Sequence, residues 1–261
     1  MIKPGEIQQK ARDAGVRDQQ IEKDYVLSWI LSGISQHEQL SKLIVFKGGT
    51  VLKKVYFDEY RFSEDLDFTL LESVNKEQIL KWFNESFEYV LEETNIRLAI
   101  LDENEGDGIN FYISYIGPLG GVGSNKKVKI DISTNEKLEF GPVLKKILLN
   151  YTDQDEHQLL CYTLEEILIE KMRTVMQRMQ ARDFFDIWYL LEVHGIDVSF
   201  YQNEFSNKCK SKNLDSKDFS KKLTERLPQY KGRWEGELKE QIRELPDFNS
   251  AVRETLRRLK V

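Results

Sequence analysis

Asp65 and Asp67, one residue apart in Asp65-Leu66-Asp67-Phe68, are the first residues of the 261-residue chain whose types and spacing could do chemistry. In a strand, the period of two sends both carboxylates to one face and turns Leu66 and Phe68 toward the core. Two neighbouring carboxylates repel each other, and hard oxygen ligands at this spacing suit Mg²⁺ or Mn²⁺. Acidic pairs on exposed strands are common, so the pair alone decides nothing. A second alternating run adds a third acid. Val128, Ile130 and Ile132 fall on the buried face of residues 127–133, and Asp131 falls on the polar one. Three carboxylates from two neighbouring strands can hold two ions about 3.5–4 Å apart, the arrangement used for in-line phosphoryl displacement.

Upstream, Lys47-Gly48-Gly49-Thr50 reads as a strand-to-helix turn. Glycine lets the backbone approach a phosphate closely, and a helix N-terminus offers free N–H groups to an anion. Thr50 can cap the helix or bond a phosphate oxygen. Arg61 and Ser63 lie close before the acids, and Ser63 shares their face. Double-glycine turns are frequent, so it is the order that carries weight: glycines, short helix, paired acids, then a third acid on a later strand.

The elements that must position these groups follow from periodicity. Residues 18–33 read as a helix capped by Asp18 and stopped by Gly33, and 43–46 as a short buried strand. Residues 50–56 read as a helix with Lys53 and Lys54 outward. Residues 62–71 form the acid-bearing strand, and Asn75 caps a long helix reaching about residue 93. Strands are expected at 96–101, 109–116 and 127–133, with a glycine-rich connecting loop at 117–125. Residues 150–160 read as a linker. Thr163 and Glu166 then make a capping box, opening a helix whose apolar stripe includes Ile167, Leu168 and Met172. A second helix is expected at 183–193 with a stop at Gly195, and amphipathic segments at 219–227, 238–245 and 252–259. The fold class is α+β: a mixed sheet with flanking helices over residues 1–155, then a helical domain over 156–261.

Composition fits an ordinary globular chain, with 40% hydrophobic and 31% charged residues. No apolar run approaches the ~20 residues of a membrane span, and the N-terminus lacks a signal peptide's apolar core. Two distant cysteines outside any CxxC pattern argue against structural zinc and fit a reducing cytoplasm. Residues 163–261 carry 19 Lys+Arg and 17 Asp+Glu; the chain totals of 38 and 44 leave 19 and 27 for residues 1–162. An acidic front half and a more basic back half suit a polyanionic substrate. Within the back half, residues 207–222 hold six lysines, which read equally well as a solvated loop.

The motif set resembles the AbiEii/AbiGii toxin family, which includes the MenT-like toxins, within the nucleotidyltransferase-fold superfamily. The residues that carry the resemblance are Lys47–Thr50, the run 61–68 containing Arg61, Ser63, Asp65 and Asp67, Asp131, the helix at 165–178, and the run 181–191. Residues 21–31 also look like that family's N-terminal helix. The resemblance implies a nucleotidyltransferase toxin of a bacterial toxin–antitoxin or phage-defence pair. It implies that Lys171 and Asp186 are essential partners of the paired acids. On this reading Asp65, Asp67 and Asp131 hold Mg²⁺ or Mn²⁺. Lys47, Gly48, Gly49, Thr50, Arg61 and Ser63 bind the nucleoside triphosphate, with Arg178. Arg178 follows Lys171 by seven residues, on the same helix face, which lets both point at one cleft. Some relatives add nucleotides to the 3′ end of tRNA, so RNA is the expected acceptor, with a cognate antitoxin as partner and no membrane. Transfer to a protein or small-molecule hydroxyl, or nucleotide binding without turnover, are the alternatives.

Overall fold

The structure, a computed structural model, describes residues 1–104, 108–123 and 126–260, with the side chains of residues 102–104 excepted. The chain divides into two compact units, Met1–Glu136 with Pro142–Cys161, and Lys137–Gly141 with Tyr162–Val261.

The first unit opens with helices α1 (Pro4–Ala14), α2 (Asp18–Gln36) and α3 (Leu40–Leu43), then strand β1 (Ile44–Lys47). A single turn, α4 (Gly48–Val51), runs into a π-helical turn at Leu52–Tyr56. Then come β2 (Asp65–Leu70), α5 (Lys76–Thr94), β3 (Arg97–Asn104), β4 (Ile109–Ile116), β5 (Lys127–Ser133), β6 (Val143–Lys146) and β7 (Gln158–Cys161). The described strands form one mixed sheet in the order β3-β4-β5-β2-β1-β7-β6. β2 runs parallel to β5 and β1 parallel to β7, while the other pairs are antiparallel.

The alternation expected for β4 and β5 is present: Ile109, Phe111, Ile113, Val128, Ile130 and Ile132 are buried. Phe83 of α5 meets Phe111 edge-on, with ring centroids 5.0 Å apart. Asn75 caps α5 by accepting from the Gln78 amide at 2.8 Å. Gly33 does not stop α2, which continues to Gln36. Its missing side chain is needed elsewhere: a Cβ there would lie 2.8 Å from the Ser86 carbonyl oxygen and from Val90 of α5. Asp18 is the first helical residue of α2, not its cap, which is Arg17.

Lys53 and Lys54 are buried, not outward. The π-helical turn widens the coil by a residue and rotates Lys54 inward. There its ammonium meets the Asp24 carboxylate at 2.6 Å, the Asp24 carbonyl at 3.0 Å and the Ser28 hydroxyl at 2.7 Å. The Tyr151 hydroxyl donates to the same carboxylate at 2.8 Å.

The stretch expected as a linker at 150–160 contributes β7, which pairs with β1 and β6. The first unit therefore ends at Cys161, not at residue 155. In the loop at 117–125, which joins β4 to β5, Gly120 and Gly121 take positive φ. The buried Glu22 carboxylate holds it by accepting from the Leu119 amide at 2.8 Å and pairing with Lys126 at 2.8 Å. Residues 124–125 of that loop lie outside the described residues.

The second unit contains α6 (Leu164–Val175), α7 (Ala181–Trp188) with a π-helical turn at Tyr189–Val193, α8 (Gln202–Lys210), α9 (Phe219–Leu238) and α10 (Phe248–Leu259). Its core is aromatic: Phe184 stacks on Tyr230 with centroids 5.6 Å apart and also meets Trp234 and Phe248. Gly195 follows the second helix with φ +85°. The helix expected at 219–227 runs on through Pro228 to Leu238, and none spans 238–245.

Half of the capping box forms. Thr163 accepts from the Glu166 amide at 3.2 Å. The Glu166 side chain instead turns inward to Lys208 at 2.7 Å and accepts from the amides of Glu139 and Phe140 at 3.0 and 2.8 Å. Lys208, one of the six lysines of the stretch 207–222, is thus fully buried on α8.

Candidate active site

Three neighbouring strands of the first unit present the acid face. Asp67 is the register partner of Lys47 on β1 and of Asp131 on β5, and Asp65 is the partner of Lys129. Register partners on adjacent strands lie about 5 Å apart, so Asp67 and Asp131 are neighbours across the β2–β5 ladder. Asp65, Asp67 and Asp131 are half-buried, while Leu66, Phe68, Ile130 and Ile132 are fully buried. This is the division that the period of two predicts.

The glycine turn closes over the acids. Gly48 has φ +79°, and a Cβ built on it would collide with the Asp67 carboxylate. Both the backbone conformation and the space above Asp67 therefore require glycine. Gly49 and Thr50 follow it in the buried turn α4. Thr50 does not cap that turn, which has no side-chain cap. Its hydroxyl donates to the Asp65 carbonyl at 2.5 Å and lies 2.7 Å from the Ser63 hydroxyl. Thr50 and Ser63 thus tie the glycine turn to the start of β2. Lys47 is buried at the end of β1. Arg61 is buried too, donating to the Phe62 carbonyl at 3.3 Å and lying over the Tyr60 ring.

Lys129 was not singled out by the sequence reading, although the alternation that exposes Asp131 exposes it as well. Its ammonium donates to Asp131 Oδ2 at 3.0 Å. Burial lowers its pKa, but the hydrogen bond to Asp131 and the charges of Asp131, Asp65 and Asp67 outweigh that and hold it above the ordinary lysine value.

Among the described residues, no group of three or more His, Cys, Asp or Glu side chains is drawn together closely enough to hold a metal by itself. The donor chemistry nonetheless suits a hard divalent ion. Three carboxylates share one half-exposed face, and the Asp67 carboxylate packs against a glycine that has no Cβ to displace it. Lys129 is a cation that the face holds in the structure.

In the second unit, Lys171 of α6 is paired with Asp183 at 2.7 Å and Asp186 at 2.8 Å, both on α7. Arg178 lies beyond the end of α6, so it does not share a helix face with Lys171. The two cations converge through Asp183 instead, to which Arg178 Nε donates at 2.7 Å. Burial raises the Asp183 pKa, but Lys171 and Arg178 reverse this and hold the carboxyl well below the usual range. The sequence reading left Asp183 without a role. The available signal was its place three residues before Asp186, on the same side of a helix.

Two solved structures share this fold. The chain is similar to MenT4, a nucleotidyltransferase toxin from Mycobacterium tuberculosis H37Rv, with a TM-score of 0.72 and 17% identity over 100% of this chain and 90% of that one. It is also similar to a putative nucleotidyltransferase from H. pylori, with a TM-score of 0.61 and 18% identity over 94% and 95% of the two chains. At these identities the likeness establishes the fold, which is that of the nucleotidyltransferases. The family model described as nucleotidyl transferase AbiEii toxin, type IV toxin–antitoxin system, matches residues 29–258. The chain belongs to that family of nucleotidyltransferase toxins. No curated protein sequence matches it. No helix among the described residues is long and apolar enough to cross a membrane.

Proposed function

We propose that this toxin transfers a nucleotide from a nucleoside triphosphate to an RNA hydroxyl, with the 3′ end of tRNA as the first acceptor to test. In this reaction the hydroxyl oxygen forms a bond to the α-phosphorus. The bond to the β-bridging oxygen breaks, and pyrophosphate leaves. The observation that supports the reading is the placing of Asp67 beside Asp131 and directly against Gly48, an acid pair packed on a left-handed glycine turn.

Asp65, Asp67 and Asp131 would hold Mg²⁺ or Mn²⁺, which supplies charge stabilisation to the phosphates when bound. Gly48 and Gly49 let the backbone approach the phosphates. Thr50 and Ser63 act on this reading by fixing the turn against β2, and Lys47 and Arg61, both buried, would add positive charge for the nucleotide. For Lys171, Asp186 and Arg178 the roles rest on the family resemblance. Lys171 and Arg178 would neutralise phosphate charge, and Asp186 would hold the Lys171 ammonium in place. A place in phage defence and a cytoplasmic location complete the proposal.

The test is incubation with labelled nucleoside triphosphates, Mg²⁺ and total RNA, beside an Asp67→Ala protein. Label on RNA that disappears in the variant is the expected result. Label on protein, on a small molecule, or nowhere would overturn the RNA reading.

A further inference from the structure

Lys129 stands on the acid face and has no part in the proposed reaction. Its position is specific. Along β5 it precedes Asp131 by two residues on the same face, with its ammonium 3.0 Å from that carboxylate. Across the ladder it is the register partner of Asp65, whose neighbour Asp67 is in turn the partner of Asp131. The ammonium is therefore flanked by the carboxylates that a divalent ion would use. A lysine head is a compact point charge on a flexible stem, so it can leave one anion for another without moving the backbone. Its side chain is about one-third exposed, which leaves it room to swing.

We propose that Lys129 is an internal counter-ion that competes with divalent metal for the carboxylate face, so that metal and triphosphate load together. In the nucleotide-free protein the ammonium holds Asp131 and weakens binding of a bare ion. An arriving triphosphate offers the ammonium a second anionic partner, and the carboxylates are released to the metal. Lys129 is on this account a positioning residue whose two partners are Asp131 and the phosphate chain. The inference rests on the metal-holding role proposed for Asp65, Asp67 and Asp131. It adds to that role an order of binding and a coupling between the two ligands.

The experiment is calorimetric titration of MnCl₂ into the full chain, with and without inorganic tripolyphosphate, which carries the phosphate chain without a base. Lys129→Met is expected to bind Mn²⁺ alone about five- to tenfold more tightly than wild type, the size appropriate to losing one half-exposed competing charge. Lys129→Arg, which keeps the charge, is expected to stay within about twofold of wild type. With tripolyphosphate present, the advantage of Lys129→Met should disappear, because in wild type the ammonium has moved to the phosphates. Equal Mn²⁺ affinity of wild type and Lys129→Met without tripolyphosphate, while Asp131→Asn abolishes binding, would overturn the counter-ion role and leave the metal assignment standing. Unchanged Mn²⁺ binding in Asp131→Asn and Asp67→Asn would overturn both. Thermal unfolding of each variant identifies any that fails to fold, and Lys129→Gln then replaces Lys129→Met.

Discussion

Gly48 and Asp67 are mutually exclusive with any side chain between them: the Asp67 carboxylate fills the space where a Cβ of residue 48 would stand. The glycine turn and the paired acids, separated by 19 positions in sequence, are thus one constructed feature. Each constrains what the other position can be.

Gly48→Ala should therefore strike twice. The left-handed backbone at φ +79° costs a non-glycine residue about 1–2 kcal/mol, and the new methyl must push Asp67 aside. A displacement of about 1 Å at a reacting centre can cost on the order of 10²-fold in rate. Label transfer is expected to fall by about that factor, with a lowered thermal midpoint. Wild-type transfer by a folded Gly48→Ala protein would show that the fit around Asp67 does not matter.

Two lysines two residues apart on α8 should behave in opposite ways. Lys208 is fully buried against Glu166, whereas Lys210 is exposed. Removing one partner of a buried ion pair typically costs about 3–5 kcal/mol, and a surface substitution less than about 0.5 kcal/mol. Lys208→Met should lower the urea midpoint substantially and Lys210→Met should leave it unchanged. Similar midpoints for the two variants would remove the buried pair as a source of stability.

Acid should weaken the second unit through Asp183. Its folded pKa is depressed by Lys171 and Arg178, against an unfolded value of about 3.9. The ionised carboxylate's contribution is fully present above the unfolded value and is lost as pH falls through the folded one. Denaturation midpoints measured from about pH 5 to about pH 3 should fall for wild type. Asp183→Asn should be less stable at neutral pH and lose less across that acid range. Parallel acid slopes for the two proteins would mean that Asp183 is not the responsible group.

The acids of the candidate site were legible because β5 and the first four residues of β2 alternate buried and half-exposed positions, so the period of two survives in the sequence. β6 and β7 were not legible, each being only four residues long. In β6 no residue is fully buried, so no core face announces it. α1 has Pro4 at its start and Gly15 in the left-handed conformation at its end. Only Ile7 and Ala11 of that helix are buried, too narrow a stripe for a periodic signal. Lys54 was read as outward, and Lys208 only as part of a lysine-rich stretch, because lysine is usually exposed. Their partners, Asp24 and Glu166, are 30 and 42 residues away, and local periodicity carries no record of a contact at that distance. Lys129 lies on the polar face that the same alternation assigns to Asp131, so its place was legible from the sequence as well.

The inward turn of Glu166 bears on how the chain can be dissected. Its carboxylate gathers the amides of Glu139 and Phe140, which precede β6 in the sequence, into the body formed mainly by residues after Cys161. The polypeptide therefore leaves the first unit at Glu136, returns at Pro142 and leaves again after Cys161. No single scission separates the two bodies into intact fragments. Residues 1–161 expressed alone would carry a five-residue excursion stripped of its anchor, immediately before the edge strand of the sheet. In vivo, a nascent chain that has emerged only as far as β7 lacks Glu166, so final closure of that excursion must wait for α6 to be synthesised.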